Sequence, residues 1–427
     1  MNTVRASRPT RAALLAAFAL CAVSLRLTAQ TSSPPDYAAI DRHALSAPPS
    51  VQTSFKSLGT WLTGPCRTDD EKARALYRWI TQNIDYDVNA LLSGGPMSGN
   101  AETALRTRKG VCEGYAGLFM ELAKVSGLKA AKISGFAKGY GYAAGRALDR
   151  TPNHSWNAVS IDGHWRLLDC TWGAGFIGDD RTFHRAFDPH FFLTPPGEFI
   201  YDHLPENQEW QLLDHPISRQ DYEQAVYVKP GFFALGLSLG DNTAGTLRAK
   251  GEIVLRLGIT QPVAGVATLF KGERATDDRY AFVQNELNAL VLRVTPPDTG
   301  ELTLRVFARS QADTGLYAWM MDYKIQSAQR PRAFPPYPRK YTAFDVRNAR
   351  LLEPIPGLLP AGSVQHFRLK IPWAEKAAVI VNEYWTFLDR DGEDLAGDVP
   401  IKPGTVTVCA QFPGQEDWET LLDFKGK

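Results

Sequence analysis

The dipeptide Asp162-Gly163 constrains this chain more than any other feature. Two such residues between apolar runs select a tight hairpin, because the turn needs left-handed backbone that aspartate tolerates and glycine adopts freely. Asn153–Ile161 runs into it and His164–Asp169 runs out. With Asp162 and Gly163 as the turn residues, Ile161 faces His164, Trp156 faces Asp169 and His154 faces Thr171. His154 and Asp169 then become diagonal neighbours on one face. Diagonal positions lie roughly 7–8 Å apart at the backbone, within reach of an imidazole–carboxylate hydrogen bond. The hairpin thus assembles a base and its orienting acid, and turns Cys170 to the opposite face.

A nucleophile stands upstream. The stretch Lys109-Gly110-Val111-Cys112-Glu113-Gly114 sets a cysteine between glycines where a helix is expected to begin. That helix is predicted from about Val111 to Ser126, with Leu118, Leu122 and Val125 on one face and Gly127 as its stop. A thiol on the first turn meets unpaired backbone N–H groups and the positive end of the helix dipole, both of which favour the thiolate. The glycines leave room for a substrate carbonyl. Cys112, His154 and Asp169 are therefore the candidate nucleophile, base and orienter. The competing reading makes Cys112 a buried structural cysteine and His154 a satisfied strand residue. The glycosylation sequon Asn153-His154-Ser155 is discounted, because a glycan there would sit beside the base.

No metal or cofactor is expected. The spacing of His184, His190 and His203 fits no standard metal site, and Cys66, Cys112, Cys170 and Cys409 form no paired zinc motif. A single bridge, for example Cys66 to Cys170, stays open. Lys138–Gly145 is rich in glycine but lacks the lysine-hydroxyl ending of a phosphate loop, and reads as a mobile flap near the cleft.

The chain has 427 residues, enough for two to four domains at roughly 100–200 residues each. Residues 1–29 read as a secretory signal: three arginines, the twelve apolar residues Ala12–Val23, and Ala29 as the last residue removed. Twelve residues fall short of the roughly 18–20 that span a bilayer, and no later run approaches that length. The first thirty residues hold four arginines and no acid, so a formal net charge of +1 becomes −3 for the rest. That balance gives no electrostatic footprint for nucleic acid. An exported protein, periplasmic or secreted, without a stable membrane span is expected.

A first region, 38–216, opens with a capping box, Thr68 with Glu71, and then Ala75, Leu76, Trp79, Ile80 and Ile84 at helical spacing. From about Tyr227 short β-rich runs alternate with turn residues, broken once by the proline-rich Phe334–Pro338, which reads as an exposed linker open to limited proteolysis because its prolines cannot join a ladder. Two β-sandwich modules, 227–328 and 340–427, account for this texture. They read as weak repeats, since Thr299–Leu304 precedes Met320–Lys324 much as Pro403–Val408 precedes Leu421–Lys425.

The motifs Gly110–Phe119, Asn153–Val159 and Trp165–Gly175, in that order, resemble the transglutaminase-like superfamily. They are most similar to its branch of kyphoscoliosis peptidase and bacterial relatives. The resemblance runs from about Asp41 to Leu213 and takes in Phe191-Phe192-Leu193 and the trailing Pro205–Leu213. It implies an α+β papain- or transglutaminase-like catalytic domain followed by two immunoglobulin-like β-sandwich modules. It also implies that Cys112 is the nucleophile, His154 the base and Asp169 the orienter. The context of Cys112 differs from that of protein-crosslinking transglutaminases, which weakens any expectation of crosslinking or calcium dependence. A cysteine acyl-transfer enzyme acting on a peptide or protein is expected, peptidase-like first, with transamidation or deamidation open. The β modules would bind a protein or carbohydrate target. The alternative is a non-catalytic binding or scaffold protein that keeps the fold. N-terminal sequencing of exported material is expected to begin just after Ala29; an intact Met1 on membrane-bound protein would contradict the leader.

Overall fold

Thr68 accepts a hydrogen bond from the backbone N–H of Glu71 and starts a helix from Asp69 to Asn83; the reciprocal half of the expected capping box is not formed, because the Glu71 carboxylate accepts the Arg67 N–H instead. The computed structural model describes residues 36–93 and 99–427. The expected leader, 1–29, lies outside the described residues. The longer helices are Ala38–Leu45 (α1), Phe55–Thr63 (α2), Asp69–Asn83 (α3) and Cys112–Val125 (α4). α3 buries Leu76, Trp79 and Ile80, and α4 buries Leu118, Phe119 and Leu122. Arg74 grips Asp41 through two bonds of 2.7 and 2.8 Å and so ties α3 to α1.

The helices pack beside a five-stranded antiparallel sheet. Its strands are Ala130–Ala137 (β1), His154–Ile161 (β2), His164–Leu168 (β3), Phe192–Thr194 (β4) and His203–Pro205 (β5), in the order β4-β3-β2-β1-β5. The hairpin forms in the register that the turn dictates: Ile161 pairs with His164, and Asp162 and Gly163 have φ of +50° and +81°. The β2–β3 ladder closes at Asn157 and Leu168, one pair short of the expected Trp156–Asp169 match. Asp169 leaves the strand to cap a short helix, Cys170–Ala174 (α5), whose backbone N–H groups compete for its carboxylate.

Gly135 sets how closely the edge strand β5 approaches. It pairs with His154 on one side and Pro205 on the other. A Cβ there would fall 2.3 Å from the Leu204 carbonyl oxygen and 2.4 Å from the Trp156 ring.

Beyond the sheet, residues 227–327 form two facing sheets. One runs Tyr227–Val228, Ala318–Ser327, Gly300–Ser310, Val263–Lys271, Arg274–Ala275; the other runs Leu237–Ser238, Ile253–Ile259, Ala289–Val294, Ala281–Glu286. Leu257, Val263, Leu292, Leu304, Val306 and Tyr323 fill the space between them. From Arg339 to Gly426 one continuous sheet folds around a core that includes Phe367, Leu369, Val379, Val406 and Leu422. The two repeat-like segments are antiparallel hairpins in their own sheets, Gly300–Ser310 with Ala318–Ser327 and Gly404–Gln411 with Glu419–Gly426.

Two expectations change. Phe334–Pro338 is not an open linker: Tyr337 is buried, with its hydroxyl bonded to Glu252 and Thr295. Phe282 of the first β region also packs into the core of the second. An aromatic side chain in a proline-rich segment anchors it wherever an apolar surface is offered, which outweighs the prolines' inability to join a ladder. Likewise 138–145 is docked rather than a free flap. Lys138 is buried, and the Tyr142 ring lies 5.1 Å from that of Tyr227.

Gly135→Ala is expected to cost about 1–3 kcal/mol of stability by overpacking, read from urea unfolding. An unchanged midpoint would contradict the β1–β5 packing.

Candidate active site

Cys112 is the first residue of α4, and Val111 before it offers no side-chain cap. The first bonds within the helix run from Gly114 and Tyr115 N–H to the Val111 carbonyl. The N–H groups of Cys112 and Glu113 therefore point out of the helix start without an intrahelical acceptor. Glu113 bolts this end to the sheet, accepting Ser155 Oγ at 2.5 Å and Lys132 Nζ at 2.5 Å. Burial alone would raise the Glu113 pKa, but those two bonds outweigh it and lower it. Asn157 of β2 donates to the Ala116 carbonyl at 3.1 Å and fixes strand against helix.

On β2, His154 Nε2 lies 2.6 Å from Asp169 Oδ2, and Cys112 is near enough to the imidazole to favour its protonated form. The structure thus brings Cys112, His154 and Asp169 together. Burial would depress the His154 pKa, but the Asp169 charge and hydrogen bond, with Cys112, raise it from 6.5 to about 10. For Asp169, burial would raise the value; the partnership with His154 and His203 holds it well below the usual carboxylate range instead. Its Oδ1 accepts the N–H groups of Thr171 at 2.6 Å and Trp172 at 3.1 Å. Cys112 is 1% exposed and His154 7%, so a bulky amide reaches the sulfur only if neighbouring side chains move. The half-buried Trp172 ring lies 5.5 Å from that of His154.

His203 also meets Asp169 Oδ2, at 3.0 Å, and its other nitrogen meets Asp202 Oδ1 at 2.5 Å. Sequence reasoning weighed His203 only as a metal ligand and missed this contact; the available signal was an Asp-His pair directly before the Pro205–Leu213 stretch. His184 pairs with Asp180 at the surface and His190 stacks on Phe233, so these three histidines do not gather. The ligand atoms of His154, Asp169 and His203 lie within 4.8 Å of one another, but at hydrogen-bond distances, with one carboxylate oxygen serving both rings. The Cys66–Cys170 bridge is not formed: all four described cysteines are free. Asn153 bonds the backbone of Ala137 through both its amide groups, a structural duty that accords with discounting the sequon.

A cysteine at a helix start thus stands beside an imidazole on an antiparallel sheet, whose far nitrogen meets a carboxylate at the corner beyond the next strand. Residues 56–170 match the family model of the Transglutaminase-like superfamily, and 219–338 match the KY-like, immunoglobulin-like domain. The chain thus carries a transglutaminase-like domain followed by a KY-like, immunoglobulin-like domain. It is 31% identical over 278 residues to Kyphoscoliosis peptidase of Mus musculus, covering 65% of this chain and 41% of that one. A Lim and transglutaminase domain protein of Caenorhabditis elegans is 30% identical, with 68% of this chain and 43% of its own covered. Hillarin of Drosophila melanogaster is 35% identical over 229 residues, with 51% and 28% covered. The chain thus spans less than half the length of these relatives. Among the described residues no helix is long and apolar enough to cross a membrane.

A pKa raised on folding means that the His154 imidazolium stabilises the fold fully below about pH 6.5 and loses that contribution as pH climbs to about 10. The stability gap between the native chain and His154→Gln, from urea unfolding, is therefore expected to narrow between those values. A gap that stays constant would contradict the ion-pair geometry.

Proposed function

We propose that this protein is a cysteine acyl-transfer enzyme acting on amide bonds of a peptide or protein, with hydrolysis as its first activity. The observation that carries the reading is Cys112 at the start of α4 beside the His154 imidazole, whose Nε2 meets Asp169 at 2.6 Å. With the proton of Cys112 Sγ already held on His154, the sulfur attacks the amide carbonyl carbon. The tetrahedral oxygen draws on the Cys112 and Glu113 N–H groups, which have no helical acceptor. His154 then gives its proton to the leaving amine as the C–N bond breaks, leaving a thioester. Water, losing a proton to His154, releases the acid and restores the thiol; an amine in its place would give transamidation. Asp169 keeps the imidazole in the tautomer and orientation that both steps need.

Kyphoscoliosis peptidase carries a peptidase name, which agrees with hydrolysis here. Export to the periplasm or medium belongs to the same proposal, resting on the basic and apolar composition of residues 1–29. The near-complete burial of Cys112 favours one second reading, a scaffold whose cleft stays closed.

Incubation with a complex peptide pool, scored by newly formed amines or released ammonia, tests the proposal. Cys112→Ala is expected to abolish turnover with the fold intact. Asp169→Asn is expected to lower it by on the order of 10⁴-fold, the scale for a mis-oriented triad imidazole. Turnover by Cys112→Ala at the native rate would refute the mechanism, and an inert native chain would favour the scaffold.

A further inference from the structure

A second imidazole stands behind the triad. His203, at the start of β5, has no solvent exposure, and each of its ring nitrogens faces a carboxylate: Asp202 Oδ1 at 2.5 Å and Asp169 Oδ2 at 3.0 Å. A neutral imidazole has one N–H, and an ionised carboxylate only accepts, so both bonds form together only if the ring is an imidazolium. The surroundings suit a cation. Rings of Phe199, Trp172, Trp156 and Phe191 lie 4.1, 4.4, 5.0 and 6.0 Å from the His203 ring, and aromatic faces attract positive charge. His203 also falls between the two matched segments, 56–170 and 219–338, so neither match accounts for it.

We propose that His203 is a positioning residue: a fixed buried imidazolium that shares Asp169 with His154 and keeps His154 able to release its proton. This rests on the acyl-transfer reading of the triad. Asp169 Oδ2 is divided between two rings whose centroids lie 5.3 Å apart. Without His203, that oxygen would serve His154 alone and a neighbouring positive charge would vanish. Both changes bind the His154 proton more tightly, and a base that cannot let go of its proton cannot protonate a leaving amine. The groups facing His203 are Asp202 on its own strand, Asp169 at the cap of α5 and His154 on β2. Lys138, Lys229, Tyr222 and Tyr227 bear on Asp202 from the other side.

The test uses the full chain labelled with ¹⁵N-histidine and NMR of the ring nitrogens. At pH 9, where a solvent histidine is neutral, His203 is expected to show both nitrogens protonated, assigned by loss of that signal in His203→Phe. In the same variant, the His154 titration is expected to move up by roughly one pH unit, the scale for losing a charge within a few ångströms. Phe keeps the stacking on Phe199; should it fail to fold, Asp202→Asn is expected to lower the pH at which His203 loses its proton. Iodoacetamide labelling of Cys112 in the native chain separates the two claims. An unreactive Cys112 beside a protonated His203 refutes the acyl-transfer reading on which this role rests. A reactive Cys112 beside a neutral His203, or an unmoved titration in the variants, refutes this inference alone.

Discussion

Every part of the site converges on the Asp169 carboxylate. One oxygen takes two backbone N–H groups of α5 and the other takes His154 and His203, so the group is buried yet fully bonded. A buried carboxylate without partners would cost several kcal/mol. Here four donors repay that cost and at the same time fix the position of α5, β2 and β5 relative to one another. Cys112 needs a helix start, His154 needs a strand, and Asp169 needs the corner where strand β3 gives way to α5. The fold delivers all three within hydrogen-bond reach.

What was legible in the sequence follows from short-range rules. The turn chemistry of Asp162-Gly163 fixes the hairpin register, and a period of two then sets His154 beside Asp169. Glycines around Cys112 mark a helix start, observed one residue from the expected position. His203 escaped because it lies 34 residues from Asp169 and reaches it only through the pairing of β5 with β1. That pairing needs the missing Cβ of Gly135, a requirement visible only once Leu204 and Trp156 are in place. The helix cap made by Asp169 escaped for a similar reason: its carboxylate was assigned to one partner, and a carboxylate has room for four.

The same lesson applies to the segments read as loose. Tyr142 and Tyr337 sit in glycine-rich and proline-rich stretches whose composition argues for exposure. Each finds an apolar or polar seat supplied by a distant part of the chain: Tyr142 on the Tyr227 ring, Tyr337 on Glu252 and Thr295. Tyr227 also donates to the Lys138 carbonyl, so the first β region touches the strand beside the triad. The β regions therefore act as a support for the site as well as a set of modules with cores of their own.

The central claim is that Cys112 forms a covalent acyl intermediate. Intact-mass spectrometry of the full chain, quenched in acid seconds after mixing with a peptide pool, reads that state directly. The account predicts acyl adducts that map to Cys112, decay on longer incubation, and are absent from Cys112→Ala. Adducts on Cys66, Cys170 or Cys409 in place of Cys112, or none on a chain that turns over the pool, would contradict it.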